Sequence, residues 1–252
     1  MMHVAEIWRH PVKAHGRERM DQVTLTAGKS MPWDRVWAVA HERSCFDPEN
    51  PSWNPPGDFS RGASSPRLQQ IECVTDPAYR TITFSHPDCA SITINPDDHG
   101  QACEFIQWVT PLSLGARLLP ARLVKAPGEA MTDTGYQSIS LINLNSHKAI
   151  AQHLGQEISS LRWRGNLLIE GLPAWEELTW PGKTLRLGDI ELEVIEPIGR
   201  CRMTEANPET GIRDADTLKA LREGFDHQDC GVYVKVKTGG LLMQGAQIEV
   251  AD

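Results

Sequence analysis

Residues 184–196, TLRLGDIELEVIE, alternate apolar and polar side chains on both sides of Gly188-Asp189. Period two marks a half-buried strand, and glycine at the first place of a two-residue loop suits a type II′ turn. The segment therefore reads as a β-hairpin, with Leu185, Leu187, Ile190, Leu192 and Val194 facing inward and Glu191 and Glu193 in water. Shorter alternating runs at 23–26, 35–40, 81–84, 91–94 and 231–237 predict further strands. Helical period is confined to DHGQACEFIQWV ahead of Pro111, to NSHKAIAQHLG with a cap at Gly155, and to DADTLKALREG, opening on aspartate and closing at Gly224. Three short helices among many strands predict a mainly β (α+β) chain.

The 252 residues carry 25 Lys+Arg against 33 Asp+Glu, a formal charge of −8. With no dense Lys/Arg cluster, such a chain repels polyphosphate, so nucleic acid is not an expected partner. No run approaches the ~20 apolar residues of a membrane span, and MMHVAEIWRHPVK lacks the apolar core of a signal peptide. The expectation is a cytoplasmic protein with no membrane partner. The six cysteines are scattered without a Cys-x-x-Cys pair, which argues against structural zinc or an iron–sulfur cluster and for reduced thiols.

Residues 47–66, DPENPSWNPPGDFSRGASSP, cannot form a regular ladder, because each proline removes a backbone donor. They read as an exposed loop, either bordering a site or a plain surface insertion. The small and polar residues 126–135 separate two strand-like segments, and a division there gives an amino-terminal β-barrel-like domain, 1–127, and a second β-barrel domain, 128–252.

The chemistry concentrates in IEPIGRCRMTEANPETG, residues 195–211. Cys201 lies between Arg200 and Arg202, and two adjacent cations favour thiolate over thiol. Such a sulfur is suited to ligate a metal or attack an electrophile; a buried structural cysteine is the alternative. Asn207-Pro208-Glu209-Thr210-Gly211 supplies turn chemistry that would lock the cysteine loop. In RWRGN, an extended backbone would put Arg162, Arg164 and Asn166 on one face and Trp163 on the other. That face suits an oxyanion, phosphate above all, or a carboxylate-paired solvated surface. Lys13 in HPVKAHG and Arg35 at the head of RVWAVA are further cations. No phosphate loop, nucleophile elbow, dinucleotide fingerprint or histidine metal pattern is present.

These residues resemble a known family. GRCRMTEANPETG, RWRGN, DADTLKALREG and GVYVKV resemble the MOSC domain, the carboxy-terminal part of molybdenum cofactor sulfurase. IWRHPVKAHG and DRVWAVAHE resemble the β-barrel domain preceding MOSC in the mitochondrial amidoxime-reducing component and its bacterial relatives. The resemblance implies a molybdopterin-type molybdenum cofactor between the two parts of the chain, with Cys201 as the metal ligand and catalytic residue. Lys13, Arg35, Arg164 and Asn166 match positions that hold the pterin and its phosphate; Arg200, Ser138 and Tyr233 complete the set.

Two departures stand out. The family's Arg-Pro-Asn is Arg164-Gly165-Asn166, an expected loosening of that strand, and the proline-rich insertion replaces a short connection, an expected change at the substrate entrance. The implied activity is a molybdenum-dependent oxidoreductase acting on small N-hydroxylated substrates: amidoximes, hydroxylamines or N-hydroxylated bases. Without an iron–sulfur or flavin motif in the chain, electrons would come from a separate ferredoxin, cytochrome or flavoprotein. The sulfurase branch offers an alternative, a sulfur carrier using a Cys201 persulfide supplied by a partner desulfurase, since no pyridoxal-phosphate domain is present. A non-catalytic cofactor-binding module is a third.

Overall fold

The structure is a computed structural model and describes residues 1–251. The first half contains β1 (His3–Arg9), β2 (Glu18–Met20), β3 (Gln22–Leu25), β4 (Ala38–His41), β5 (Glu72–Asp76), β6 (Thr81–His86), β7 (Cys89–Ile94), α1 (His99–Val109) and β8 (Pro120–Val124). The second contains β9 (Ile139–Asn143), α2 (Leu144–Leu154), β10 (Leu167–Glu170), β11 (Thr184–Leu187), β12 (Ile190–Gly199), α3 (Thr217–Phe225), β13 (Asp229–Thr238), β14 (Gly240–Met243) and β15 (Glu249–Ala251). The fold is mainly β, as the alternation predicts.

Eight strands form one curled sheet in the order β15-β11-β12-β13-β9-β10-β1-β2. Its centre is the long β12–β13 ladder, broken by register shifts at Glu191/Leu192, Val194/Glu196 and Pro197/Gly199. Each irregularity bends the strand and increases its twist, and the last lets Pro197 sit in a strand without costing a regular ladder bond. The amino-terminal β1 joins the same sheet, antiparallel to β10, and β10 runs parallel to β9. Val4, Ile7, Leu141, Leu167, Leu192, Val232 and Val234 fill its core.

The predicted hairpin is β11–β12, closing on the Leu187↔Ile190 pair. Gly188 has φ +61 while Asp189 stays negative, as a type II′ turn requires. In the amino-terminal region β5, β6 and β7 form a three-stranded sheet on which α1 packs, the Phe84 and Phe105 rings lying 4.6 Å apart. Asp98 caps α1 by accepting from the Gln101 amide at 2.9 Å. Gly155 ends α2 at φ +66.

Three expectations need correction. Helix α3 runs through Gly224 to Phe225 and stops at left-handed Asp226. Gly224 serves packing instead, since a Cβ there would lie 2.7 Å from His153 Nδ1. The expected strand at 35–40 starts only at Ala38, because Arg35 is left-handed at φ +50. RWRGN is not extended either: Ser160–Trp163 is a 3-10 turn ending on left-handed Arg164. Residues 47–65 contain no strand. No helix among the described residues is long and apolar enough to cross a membrane.

Candidate functional site

Where the curled sheet meets the amino-terminal segments there is a cleft of about 490 Å³. Lys13, Arg35, Ser138, Arg164, Asn166, Arg200, Cys201 and Tyr233, the eight residues that the family resemblance names, all line it. They come from the turn after β1, the approach to β4, the segment just before β9, the RWRGN bend, the residues that follow β12 and strand β13.

Asn166 ties these segments together. Its side-chain oxygen accepts from the Ser140 amide (3.1 Å), Ser140 Oγ (2.8 Å) and Arg35 Nη1 (3.2 Å), and its amide donates to Trp8 O (3.1 Å) and Asp34 Oδ1 (2.9 Å). It is 1 % exposed. A short amide can serve donors and acceptors at once, which no apolar or singly charged side chain of that size does. Left-handed Arg164 and Arg35 are fixed by tertiary partners: Arg35 pairs with buried Asp34 and donates to Arg164 O at 3.0 Å. Burial lowers the Arg35 pKa, but the Asp34 and Asp133 carboxylates together outweigh it and hold the guanidinium charged.

Lys13 Nζ donates to Met131 O at 2.8 Å and pairs with Asp133. Burial still lowers its pKa, the Asp133 carboxylate only partly opposing. Arg164 is 6 % exposed; it donates through Nη2 to Gly16 O at 2.9 Å, while its buried Nη1 has no partner. Burial, then the charges of Arg35 and Arg17, pull its pKa down to about 9. Burial and nearby Asp133 push Tyr233 up to about 12. His10, 2 % exposed, lies near Arg164 and Arg35, and burial followed by those two charges holds it neutral.

The Cys201 thiol is exposed. Its carbonyl accepts from Thr204 Oγ1 at 3.0 Å, which fixes the start of the 3-10 turn Arg202–Glu205. The sequence expectation that both neighbouring guanidiniums serve the sulfur is corrected here. Arg200 turns inward to Cys230 O and Trp163 O, and Arg202 reaches Glu205 at 3.1 Å. Arg162 is likewise absent from the cleft wall; it braces Thr204 O (2.9 Å) and Asp214 (3.1 Å) behind it, and Trp163 takes the wall position. Nor is Gly165 a loose point: a Cβ there would lie 2.3 Å from Ile142 Cγ1, so buried Ile142 fills the space a side chain would need.

Sequence reading missed Asp34, Asp133 and Ser140. Asp34 carries a signal in its adjacency to Arg35. Asp133 sits in a stretch read only as a domain boundary, and Ser140 is one of several polar residues in its strand.

Five lining cations (Lys13, Arg35, Arg61, Arg164 and Arg200) face two lining carboxylates, Asp133 and Glu196. With the buried, unpartnered Arg164 nitrogen and the open sulfur, this donor set fits an anionic group rich in acceptors that also takes a thiolate. No cluster of three His, Cys, Asp or Glu side chains suited to a metal ion occurs among the described residues.

The MOSC domain profile matches residues 129–249. Human mitochondrial amidoxime-reducing component 1 is 31 % identical over an alignment 298 positions long, covering 99 % of this chain and 81 % of that protein. The chain belongs to the MOSC-domain family. Molybdenum cofactor sulfurase of Caenorhabditis briggsae is 32 % identical over 119 residues, 45 % of this chain but only 16 % of the sulfurase. This MOSC-family chain therefore spans a small part of the sulfurases it matches and most of the amidoxime-reducing component. The crystal structure of the YUAD protein from Bacillus subtilis shares the fold, with a TM-score of 0.50 over 99 % of this chain and 96 % of that one at 12 % identity.

Proposed function

We propose that the cleft holds a molybdopterin-type molybdenum cofactor, with Cys201 as the protein ligand of the metal, and that the protein reduces small N-hydroxylated substrates with electrons from a separate ferredoxin, cytochrome or flavoprotein. The observation that carries this reading is the exposed Cys201 sulfur opening on the same cleft as the buried, unpartnered Arg164 Nη1. The match to the human amidoxime-reducing component along nearly the whole chain supports it. When bound, the cofactor supplies the two-electron redox chemistry.

The protein's own part is orientation and charge compensation. Lys13, Arg35 and Arg164 offset the anionic chelate, Asn166 and Ser138 fix the wall, and Arg200 holds the Cys201 loop against the carbonyls behind it. Tyr233 lines the cleft and stays protonated at neutral pH, which makes its hydroxyl a potential hydrogen-bond donor. The proposed two-domain division at 127/128 puts Lys13 and Arg35 in the first domain and Cys201 in the second, with β1 crossing into the sheet of the second. The similarity to the sulfurases favours a second reading, a Cys201 persulfide carrier using the same open thiol.

Turnover separates the two. Protein loaded in a host that makes the cofactor is expected to reduce benzamidoxime with a chemical reductant, and the activity should vanish in Cys201→Ala. Loaded protein that carries stoichiometric metal yet leaves benzamidoxime unchanged would contradict the reductase reading and favour the carrier.

A further inference from the structure

We infer that Arg61, on the proline-rich loop, is a specificity residue that recruits N-hydroxylated substrates bearing an anionic group; the inference rests on the reductase reading of the cleft. Arg61 lines the cleft and is exposed. Each of the other lining cations already has protein partners: Lys13 has Asp133, Arg35 has Asp34, Arg164 has Gly16 O, and Arg200 has the Cys230 and Trp163 carbonyls. Both lining carboxylates are also engaged, Asp133 with Lys13 and Glu196 with the Tyr136 hydroxyl. Among the described residues the Arg61 guanidinium has no hydrogen-bond or ion-pair partner, so the charge this residue brings to the cleft wall is uncompensated.

The loop that carries Arg61 is anchored on both sides. Trp53 donates from its indole to Thr132 O at 3.0 Å and from its amide to Glu129 at 3.0 Å. Phe59 is 1 % exposed in a cluster with Phe46 and Met131. Beyond Arg61, the Arg213 guanidinium donates to Ala63 O at 2.7 Å, and a Cβ on Gly62 would lie 2.8 Å from Met203 Cγ. Gly62 therefore packs on the segment that begins at Cys201, and Arg61 stands at the cysteine end of the cleft. Lys13, Arg35 and Arg164, the cations assigned to the pterin and its phosphate, are held by the 10–16 and 131–133 segments and by Asp34. A substrate entering toward Cys201 meets Arg61, and a guanidinium fork pairs a carboxylate or phosphate through two parallel hydrogen bonds.

The oxyanion that Arg61 meets could belong to a substrate or to the cofactor's phosphate, and the test separates the two sources. Two probes, benzamidoxime and 4-carboxybenzamidoxime, are titrated into loaded protein by calorimetry for the parent, Arg61→Gln and Arg61→Lys, with molybdenum and pterin per chain measured on the same samples. The parent is expected to bind the carboxylate probe about five- to tenfold tighter than the neutral one, a charge-assisted contact discounted for exposure. Arg61→Gln should abolish that preference, Arg61→Lys should keep part of it, and cofactor content should not change. Equal affinity for both probes in the parent, a preference that survives in Arg61→Gln, or binding of neither probe would overturn the inference. Cofactor lost from Arg61→Gln would assign Arg61 to the phosphate instead. An intact binding preference with no turnover of either probe would leave Arg61 as a selector of anionic ligands and count against the reductase reading alone.

Discussion

Asn166→Leu is expected to destabilise the protein by about 3–5 kcal/mol, because several buried polar groups lose their partners together. Leucine keeps the branched outline of the side chain, with bulkier methyl groups, but removes both the acceptor and the donor. The Ser140 amide and hydroxyl, Arg35 Nη1, Trp8 O and Asp34 Oδ1 each lose a contact of 2.8–3.2 Å. Of these, Asp34 is 0 % exposed and has no route to water. Strands β1, β9 and β10 meet at this residue, so the loss should appear as a lower urea midpoint with the slope unchanged. Ser138→Ala is the contrasting case: its hydroxyl bonds only the Thr134 hydroxyl, at 2.8 Å, and the expected loss is under about 1 kcal/mol. A loss below about 1 kcal/mol for Asn166→Leu would show that the amide is not the tie that its contacts describe.

The second large effect is on pH. His15 and His147 are buried, and burial above all holds each at a pKa of about 4 in the folded protein. In the unfolded chain they titrate near 6.5. Between those values the unfolded state binds protons that the folded state refuses, so stability rises with pH and falls as pH drops through the window from 6.5 to 4. From pH 7 to pH 5 these two side chains together should remove about 4 kcal/mol, a large share of the ~5–15 kcal/mol typical of a domain. His10 acts in the same direction, whereas buried Glu177, whose carboxyl is pushed up by burial, offsets part of the loss. Urea unfolding at pH 7 and pH 5 measures this directly. A flat profile would mean that these histidines are charged in the folded state.

The parts of the fold that depend on periodicity were legible in the sequence. Leu185, Leu187, Ile190, Leu192 and Val194 declare one face of a hairpin by spacing alone, and Asp98 and Gly155 mark helix ends through local capping chemistry. What was not legible is backbone set by distant partners. Arg35 and Arg164 adopt left-handed conformations without being glycine, because Asp34 and Asn166 hold one and the carbonyls of Gly16 and Leu161 hold the other. Period two therefore overextended the strand at 35–40 and misread RWRGN as a flat face.

The same limit applies to the site. Resemblance gathered eight residues that share one cleft, yet adjacency of Arg200 and Arg202 to Cys201 did not fix where their guanidiniums go. Asp133, the partner of Lys13, is 120 positions away in sequence, and nothing local announces it.

Molybdenum and oxidised pterin per chain, measured on parent and Cys201→Ala made in a cofactor-producing host, test most directly whether the basic cleft presents its open sulfur to a metal. The prediction is near-equal metal and pterin in the parent, with the metal lost from the variant while the unfolding free energy of the cofactor-free variant stays within about 0.5 kcal/mol of that of the cofactor-free parent, since Cys201 is exposed. Metal retained in the variant, or neither metal nor pterin in either protein, would contradict it.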